Sequence, residues 1–213
     1  IKRGQMKKNL FFLLILFIIS CDENDNIIGS ETIPIGIEQT IDATSYIDWN
    51  YYKLTDTTLQ KVIFYYGDPD NSLLWDIAFQ RNHIKTNSGT SGIGNAGAYV
   101  DSVNTWDGSE FNNFNPQYID IANFEFFVDT LVNTFYDTYT HTFTEGSSNP
   151  SLDTWGLIDT LNNYTMNITN NKFVIRSANG ENFYKFWVYD YYNEYNQSGN
   201  VSLIYDEIDG LED

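Results

Sequence analysis

Hydrophobic positions along this chain follow two patterns. Near the start, residues 10–19 form an unbroken apolar run behind the basic segment Met6-Lys7-Lys8-Asn9. That arrangement has the length of a signal-peptide core and falls short of the roughly 20 residues a membrane-spanning helix needs. It predicts a signal peptide over residues 1–20, with residues 1–5 upstream of the translation start. From Thr40 onward the apolar residues come instead in short aromatic and β-branched runs punctuated by Asn, Asp, Gly and Ser. This spacing predicts strands.

Expected strands cover residues 41–43, 49–54, 62–66, 73–79 and 98–100, with a C-terminal set at 172–177, 182–191 and 201–205. Asn179-Gly180 suits the positive φ angles of a tight hairpin turn between the first two of that set. Asp68-Pro69-Asp70-Asn71 is turn chemistry, and its clustered oxygens are also a weak candidate for calcium. Residues 101–149 resist this reading. Phe111, Phe114, Tyr118, Ile121, Phe124 and Phe127 have loose helical spacing, but the Asn and Asp density predicts loops or one short helix. The sum is an all-β single domain of antiparallel sheets and hairpins over residues 40–213, behind a flexible tether at 21–39.

Composition and charge narrow the function. With 16 Tyr, 15 Phe and 5 Trp the chain has ample material for a core, which excludes a disordered protein. The formal net charge is −18. Positions 1–20 hold four of the 11 basic residues and no acid, so a chain starting at Cys21 would carry 7 basic against 29 acidic residues, a net −22. Such a surface repels nucleic acid and anionic lipid headgroups. Cys21 is the one cysteine and directly follows Ile18-Ile19-Ser20, a pattern resembling the lipobox of bacterial lipoproteins. Lipidation would resolve the problem of a lone thiol in an exported protein. Asp22-Glu23-Asn24-Asp25 behind it resembles the acidic signal that sends some lipoproteins to the outside of the outer membrane.

Residues 75–100 carry the densest chemistry: an Arg, a His and a glycine-rich loop. Gly92, Gly94 and Gly97 match G-x-G-x-x-G, but a dinucleotide site needs a helix next, and Ala98-Tyr99-Val100 reads as strand. The glycines instead suit a tight turn with close backbone packing. No G-x-S-x-G elbow marks a hydrolase nucleophile, and two nearby carboxylates mean little among 29 acids, so no enzyme is expected. The scarce soft donors are His83, His141 and Met166. His83 reads first as a strand residue bonded across to an acid, and Met166 as a filler of core gaps. Alternation in Tyr139-Thr140-His141-Thr142-Phe143 puts His141 on one face with Tyr139 and Phe143.

Trp75-Asp76-Ile77-Ala78-Phe79, then Arg81, Lys85, Asn87, Gly89, Ser91-Gly92 and Gly97-Ala98, resemble the signature segment of the HmuY family, haem-binding surface lipoproteins of Bacteroidetes-type bacteria. The resemblance extends back to Thr40-Ile41-Asp42-Ala43 with Trp49 and Tyr52. It extends forward to Phe173-Val174-Ile175-Arg176-Ser177 with Asn179-Gly180. It implies an all-β fold with a hand-like arrangement of sheets and an outer-membrane, lipid-anchored protein that takes up haem for nutrient iron and relays it to an outer-membrane receptor.

It also implies two axial ligands, His in the best-known pattern and Met in some members. This chain departs from that pattern: no His lies near Asp159 or Thr160, where the second is expected, and Met166 is the nearest soft donor. His141 is the candidate for the first, and His83, inside the signature, stands in reserve. Iron is expected only through haem. The alternative is an HmuY-like accessory lipoprotein that binds no haem and uses exposed aromatics such as Tyr189-Asp190-Tyr191-Tyr192 to hold a glycan, peptide or receptor. Geometry separates the two readings, since haem requires His141 and Met166 to face one iron across an apolar cleft.

Overall fold

Strands that bury both faces and strands that bury almost nothing build different parts of the molecule, a computed structural model that describes residues 32–116 and 118–208. These belong to one compact unit, Glu31–Asp213. The first strands are β1 (Ile37–Asp42), β2 (Asn50–Leu54), β3 (Leu59–Val62), β4 (Ile77–Gln80), β5 (His83–Thr86) and β6 (Gly97–Thr105). Two short helices follow, α1 (Gly108–Asn113) and α2 (Tyr118–Ala122). Then come β7 (Thr130–Asp137), β8 (Thr142–Ser148), β9 (Gly156–Asp159), β10 (Thr165–Ile168), β11 (Asn171–Arg176), β12 (Phe183–Tyr192) and β13 (Ser198–Glu207).

Antiparallel pairing assembles a five-stranded sheet in the order β1-β13-β12-β11-β6 and a four-stranded sheet in the order β3-β2-β4-β5. Two-stranded ribbons, β7-β8 and β9-β10, complete the fold. The all-β expectation holds. One core draws on both larger sheets: Tyr52, Phe79 and Ile84 meet Ile41, Phe173, Phe186, Val188 and Tyr205. A fully buried side chain of this size contributes about 1.5–3 kcal/mol over an exposed one, so this cluster dominates stability. The opposite face of the five-stranded sheet is covered by α1, where Phe111 packs with Trp106 and Trp187.

Polar ties complete the frame. Asp76, fully buried, accepts from Leu54 N at 2.9 Å on one sheet, from Ala178 N at 2.7 Å beyond the end of the other, and from Lys53 Nζ at 2.9 Å. Lys85 buries its ammonium among the rings of Trp49, Tyr51 and Trp75, at 4.6, 5.0 and 5.4 Å from the centroids. Burial pushes its pKa down, and the ring faces offset part of the lost hydration. The glycine-rich loop wraps Asn87: Gly94 N donates to its Oδ1 at 3.0 Å, and a Cβ on Gly92 would lie 2.1 Å from that oxygen. Close packing is what these glycines permit, and β6 follows them.

Several expectations need correction. Strand β1 begins at Ile37, inside the stretch read as tether, because it pairs with β13 from Ile37↔Tyr205 onward. Cys21 and the rest of the leader lie outside the described residues. The expected strand at 73–79 starts only at Ile77, since Pro69–Asn71 form a 3-10 turn and Leu73 and Leu74 are exposed. Asp68 caps that turn, accepting from Asp70 N and Asn71 Nδ2. The expected strand at 62–66 ends at Val62, and Tyr65 and Tyr66 face solvent. Residues 101–149 hold two short helices and a whole hairpin, β7-β8. His141 sits in the turn of that hairpin with φ +56°, so strand alternation does not govern its direction. Finally, Tyr191 is buried and its neighbours Tyr189 and Tyr192 are half-buried, which removes the exposed aromatic surface expected there.

Candidate functional site

Four segments enclose a cleft of about 940 Å³: the β4–β5 turn, the β7-β8 hairpin, the β9-β10 ribbon and the end of β12. Sheet pairing sets the floor. Gln80 pairs with His83 across the two-residue turn Arg81-Asn82, and this delivers Arg81 and His83 to the same cavity.

His83 is buried, and its imidazole stacks on Phe135 of the hairpin at 3.9 Å. Its Nε2 donates to the Thr134 carbonyl at 3.3 Å, and Nδ1 lies 3.4 Å from Asp153 Oδ2. Both ring nitrogens are thus turned to protein oxygens. The expectation of a strand histidine bonded to an acid is met by Asp153. That carboxylate is itself fixed by Ser148 Oγ at 2.6 Å.

The hairpin forms one wall. Phe135 also packs against Trp49, and Tyr136 against Tyr46 and Phe143. Gly146 lets the Phe135 ring lie on the opposing strand, because a Cβ there would come within 2.5 Å of that ring. His141 is exposed beyond this wall. Its Nδ1 pairs with Tyr136 OH at 2.9 Å, and Tyr136 lines the cleft while His141 does not.

The ribbon forms the facing wall. Met166 pairs with Ile158, is only 8% exposed and packs into the main core, as expected of a gap filler, while also contributing to the cleft lining. Its backbone N–H donates to Tyr192 OH at 2.8 Å. Gly156, on the neighbouring strand, makes room for the sulfur, since a Cβ there would lie 2.5 Å from Met166 Sδ. Leu157, Ile158 and Tyr164 expose apolar surface on the same ribbon.

Of the predicted donors, the structure therefore brings Met166 and His83 to one cavity and leaves His141 one side chain away. Residues that sequence reading missed as site residues are Phe135, Tyr136, Leu157, Ile158 and Tyr164, which carry no motif. Arg81 stood in the signature segment without an assigned role.

Electrostatically the cleft departs from the rest of the protein. None of its lining residues is Asp, Glu or Lys, and Arg81 is its one permanently charged side chain. Burial pushes the Tyr191 phenol up to about 12, so it stays protonated at physiological pH. Among the described residues no group of three or more His, Cys, Asp and Glu side chains is placed to hold a bare metal ion. The lining suits a largely apolar ligand: cavity size lies in the range of cofactor pockets, the walls are aromatic and aliphatic, and Met166 brings one thioether to the lining.

The comparisons agree with this architecture. An apo HmuY analogue from Tannerella forsythia superposes with a TM-score of 0.55 at 18% identity, over 84% of this chain and 98% of that one. An HmuY-like protein of Bacteroides vulgatus, to which haem binding is ascribed, gives 0.52 at 19% identity, over 79% of this chain and 89% of its own. Apo PinO from Porphyromonas gingivitis gives 0.53 at 16% identity, over 80% and 96%. No functionally curated protein matches the sequence. The HmuY protein family does match, over residues 45–205, from the loop before β2 to near the end of β13. With three-quarters of its length accounted for in this way and its sheets superposing on those of HmuY-type proteins, the chain belongs to the HmuY family.

Proposed function

We propose that this protein is an outer-membrane, surface-exposed lipoprotein that binds haem in the cleft between the β7-β8 hairpin and the β9-β10 ribbon. The observation that carries the reading is the cleft itself, with apolar walls, Met166 in its lining and no acidic residue there. Met166 would hold the iron from the ribbon. The second ligand is assigned to His141, which stands outside the cleft lining in the unliganded protein and must turn inward past Tyr136 to reach the iron; its Nε2 makes no hydrogen bond to the described residues, while both nitrogens of His83 are engaged. His83 then serves to hold the hairpin through Phe135 and Thr134. When bound, haem supplies the iron that is the nutrient, and the protein's part is to hold and shield it before transfer to an outer-membrane receptor.

Titration of haemin into the purified domain tests this. The wild type should give a Soret shift that Met166→Ala and His141→Ala each reduce and the double variant abolishes. His83→Ala should leave the ligand signature in place. An unchanged spectrum on adding haemin to the wild type would sink the proposal. The lipid anchor is assigned to Cys21, and Cys21→Ser should release the protein from the membrane fraction.

A further inference from the structure

Arg81 occupies a position that its own backbone disfavours. It is the first residue of the two-residue turn between β4 and β5 and has φ +52°, where glycine is the usual choice. Its guanidinium lies 4.4 Å from the centroid of the Tyr46 ring and 5.8 Å from that of Tyr191, both of which line the cleft. Nη1 donates to the Ser198 carbonyl at 3.2 Å and, at the limit, to that of Thr44 at 3.5 Å, and Nη2 donates to Ser198 Oγ at 2.9 Å. Gly199 is part of this seat, because a Cβ there would lie 2.5 Å from Nη1.

Every one of these partners is neutral. In a chain with 29 acidic residues and 11 basic ones, Arg81 makes no ion pair with any described carboxylate, whereas Lys53, Lys172 and Lys185 each do. The neutral contacts fix the direction of the fork and leave its charge uncompensated. A guanidinium has five N–H donors, so some remain for a ligand, and its planar fork matches a carboxylate. Arg81 is the one permanently cationic side chain in the lining, with His83 turned to Asp153 and the Thr134 carbonyl, and the surrounding charge of −18 would otherwise repel an anion.

We infer that Arg81 is the specificity-determining residue of the cleft and selects ligands that carry a free carboxylate, pairing with a propionate of the porphyrin. This rests on the haem reading above and adds to it a requirement for the free acid. The test compares haemin with haemin dimethyl ester, delivered in the same detergent, on wild type and on Arg81→Gln. Wild type should bind the ester about tenfold or more weakly than the free acid, the scale expected for losing one charge-assisted hydrogen-bonded pair. Arg81→Gln should weaken haemin binding by a similar factor and remove the preference. Equal affinity of the wild type for both porphyrins, or a preference that survives in Arg81→Gln, would overturn the inference and leave the haem reading intact. Should neither porphyrin shift the Soret band, the haem reading fails and the inference with it. The wild-type comparison decides even if the variant does not fold.

Discussion

The five-stranded sheet and the β7-β8 hairpin are both antiparallel, yet they are held by different means. In the sheet, β11, β12 and β13 are largely buried, and Phe173, Phe186 and Tyr205 are almost wholly removed from water. The hairpin has nearly all its side chains exposed or half-exposed and leans on the body through a few contacts: the Phe135 stack on His83, Tyr136 beside Tyr46, and the anchors at its base. A two-stranded ribbon is marginal alone in water, so the body decides whether this wall stands. Stability resides in one region, and the other supplies a wall of the cleft.

The largest expected effect separates them directly. Phe186→Ala should cost about 3–5 kcal/mol, as large-to-small changes do in a packed core. Phe143→Ala, 68% exposed on the hairpin wall, should change stability by less than about 0.5 kcal/mol while weakening haem binding. Thermal melts of both variants with and without haemin read the contrast. A strong destabilisation by Phe143→Ala would show that the hairpin is part of the core after all. Next in size is Asp76→Ala. It strands the amides of Leu54 and Ala178 and the ammonium of Lys53, and should cost roughly 3 kcal/mol in denaturant melts, without a change in the haem spectrum.

The same contrast explains what was legible in the sequence. Strands β11 to β13 announced themselves because apolar pairs alternate with few interruptions and Asn179-Gly180 marks the turn, where Gly180 has φ +86°. The hairpin did not: an exposed ribbon satisfies its backbone by pairing and needs no apolar face, so Thr130–Asp137 and Thr142–Ser148 look like loop. Its dependence on distant residues, Phe135 on His83 and Tyr136 on Tyr46, has no local signature. Leu73 and Leu74 misled for the opposite reason, being apolar without being buried. Met166 and His83 were identifiable as scarce donors, but that they share a cavity follows from pairings, Met166↔Ile158 and Gln80↔His83, that only the fold reveals.

The join between the two regions should respond to pH. Asp129, immediately before β7, is buried and accepts from Thr86 N, Thr86 Oγ1 and Asn149 Nδ2. Burial outweighs these donors and pushes its carboxyl up to about 6 from an unfolded value near 3.8. A folded pKa above the unfolded one means that the native state binds the proton more tightly. The associated stability is therefore complete below about pH 4 and is lost as pH rises through 6. At 1.36 kcal/mol per unit the swing is at most on the order of 3 kcal/mol. Asp129→Asn should flatten the dependence of stability on pH between 4 and 7. A wild type whose stability climbs through that window, with no change of slope in the variant, would rule this account out.

A small effect on stability should have the clearest spectral consequence. Gly156→Ala places a methyl group where Met166 Sδ and Cγ now sit, at 2.5 and 3.1 Å from the new carbon. The strain is not in the backbone, whose φ of −150° suits any residue. It falls on the end of an unbranched, three-torsion side chain that can turn aside, so the melting temperature should move little, with a cost below about 1 kcal/mol. The thioether cannot both turn aside and keep its present place in the cleft lining. If Met166 is the ligand on the ribbon, Gly156→Ala should shift the Soret band or weaken haemin binding nearly as much as Met166→Ala does. If the sulfur merely fills space, the haem spectrum will match wild type, and the ribbon becomes a passive wall with the iron held from the hairpin alone.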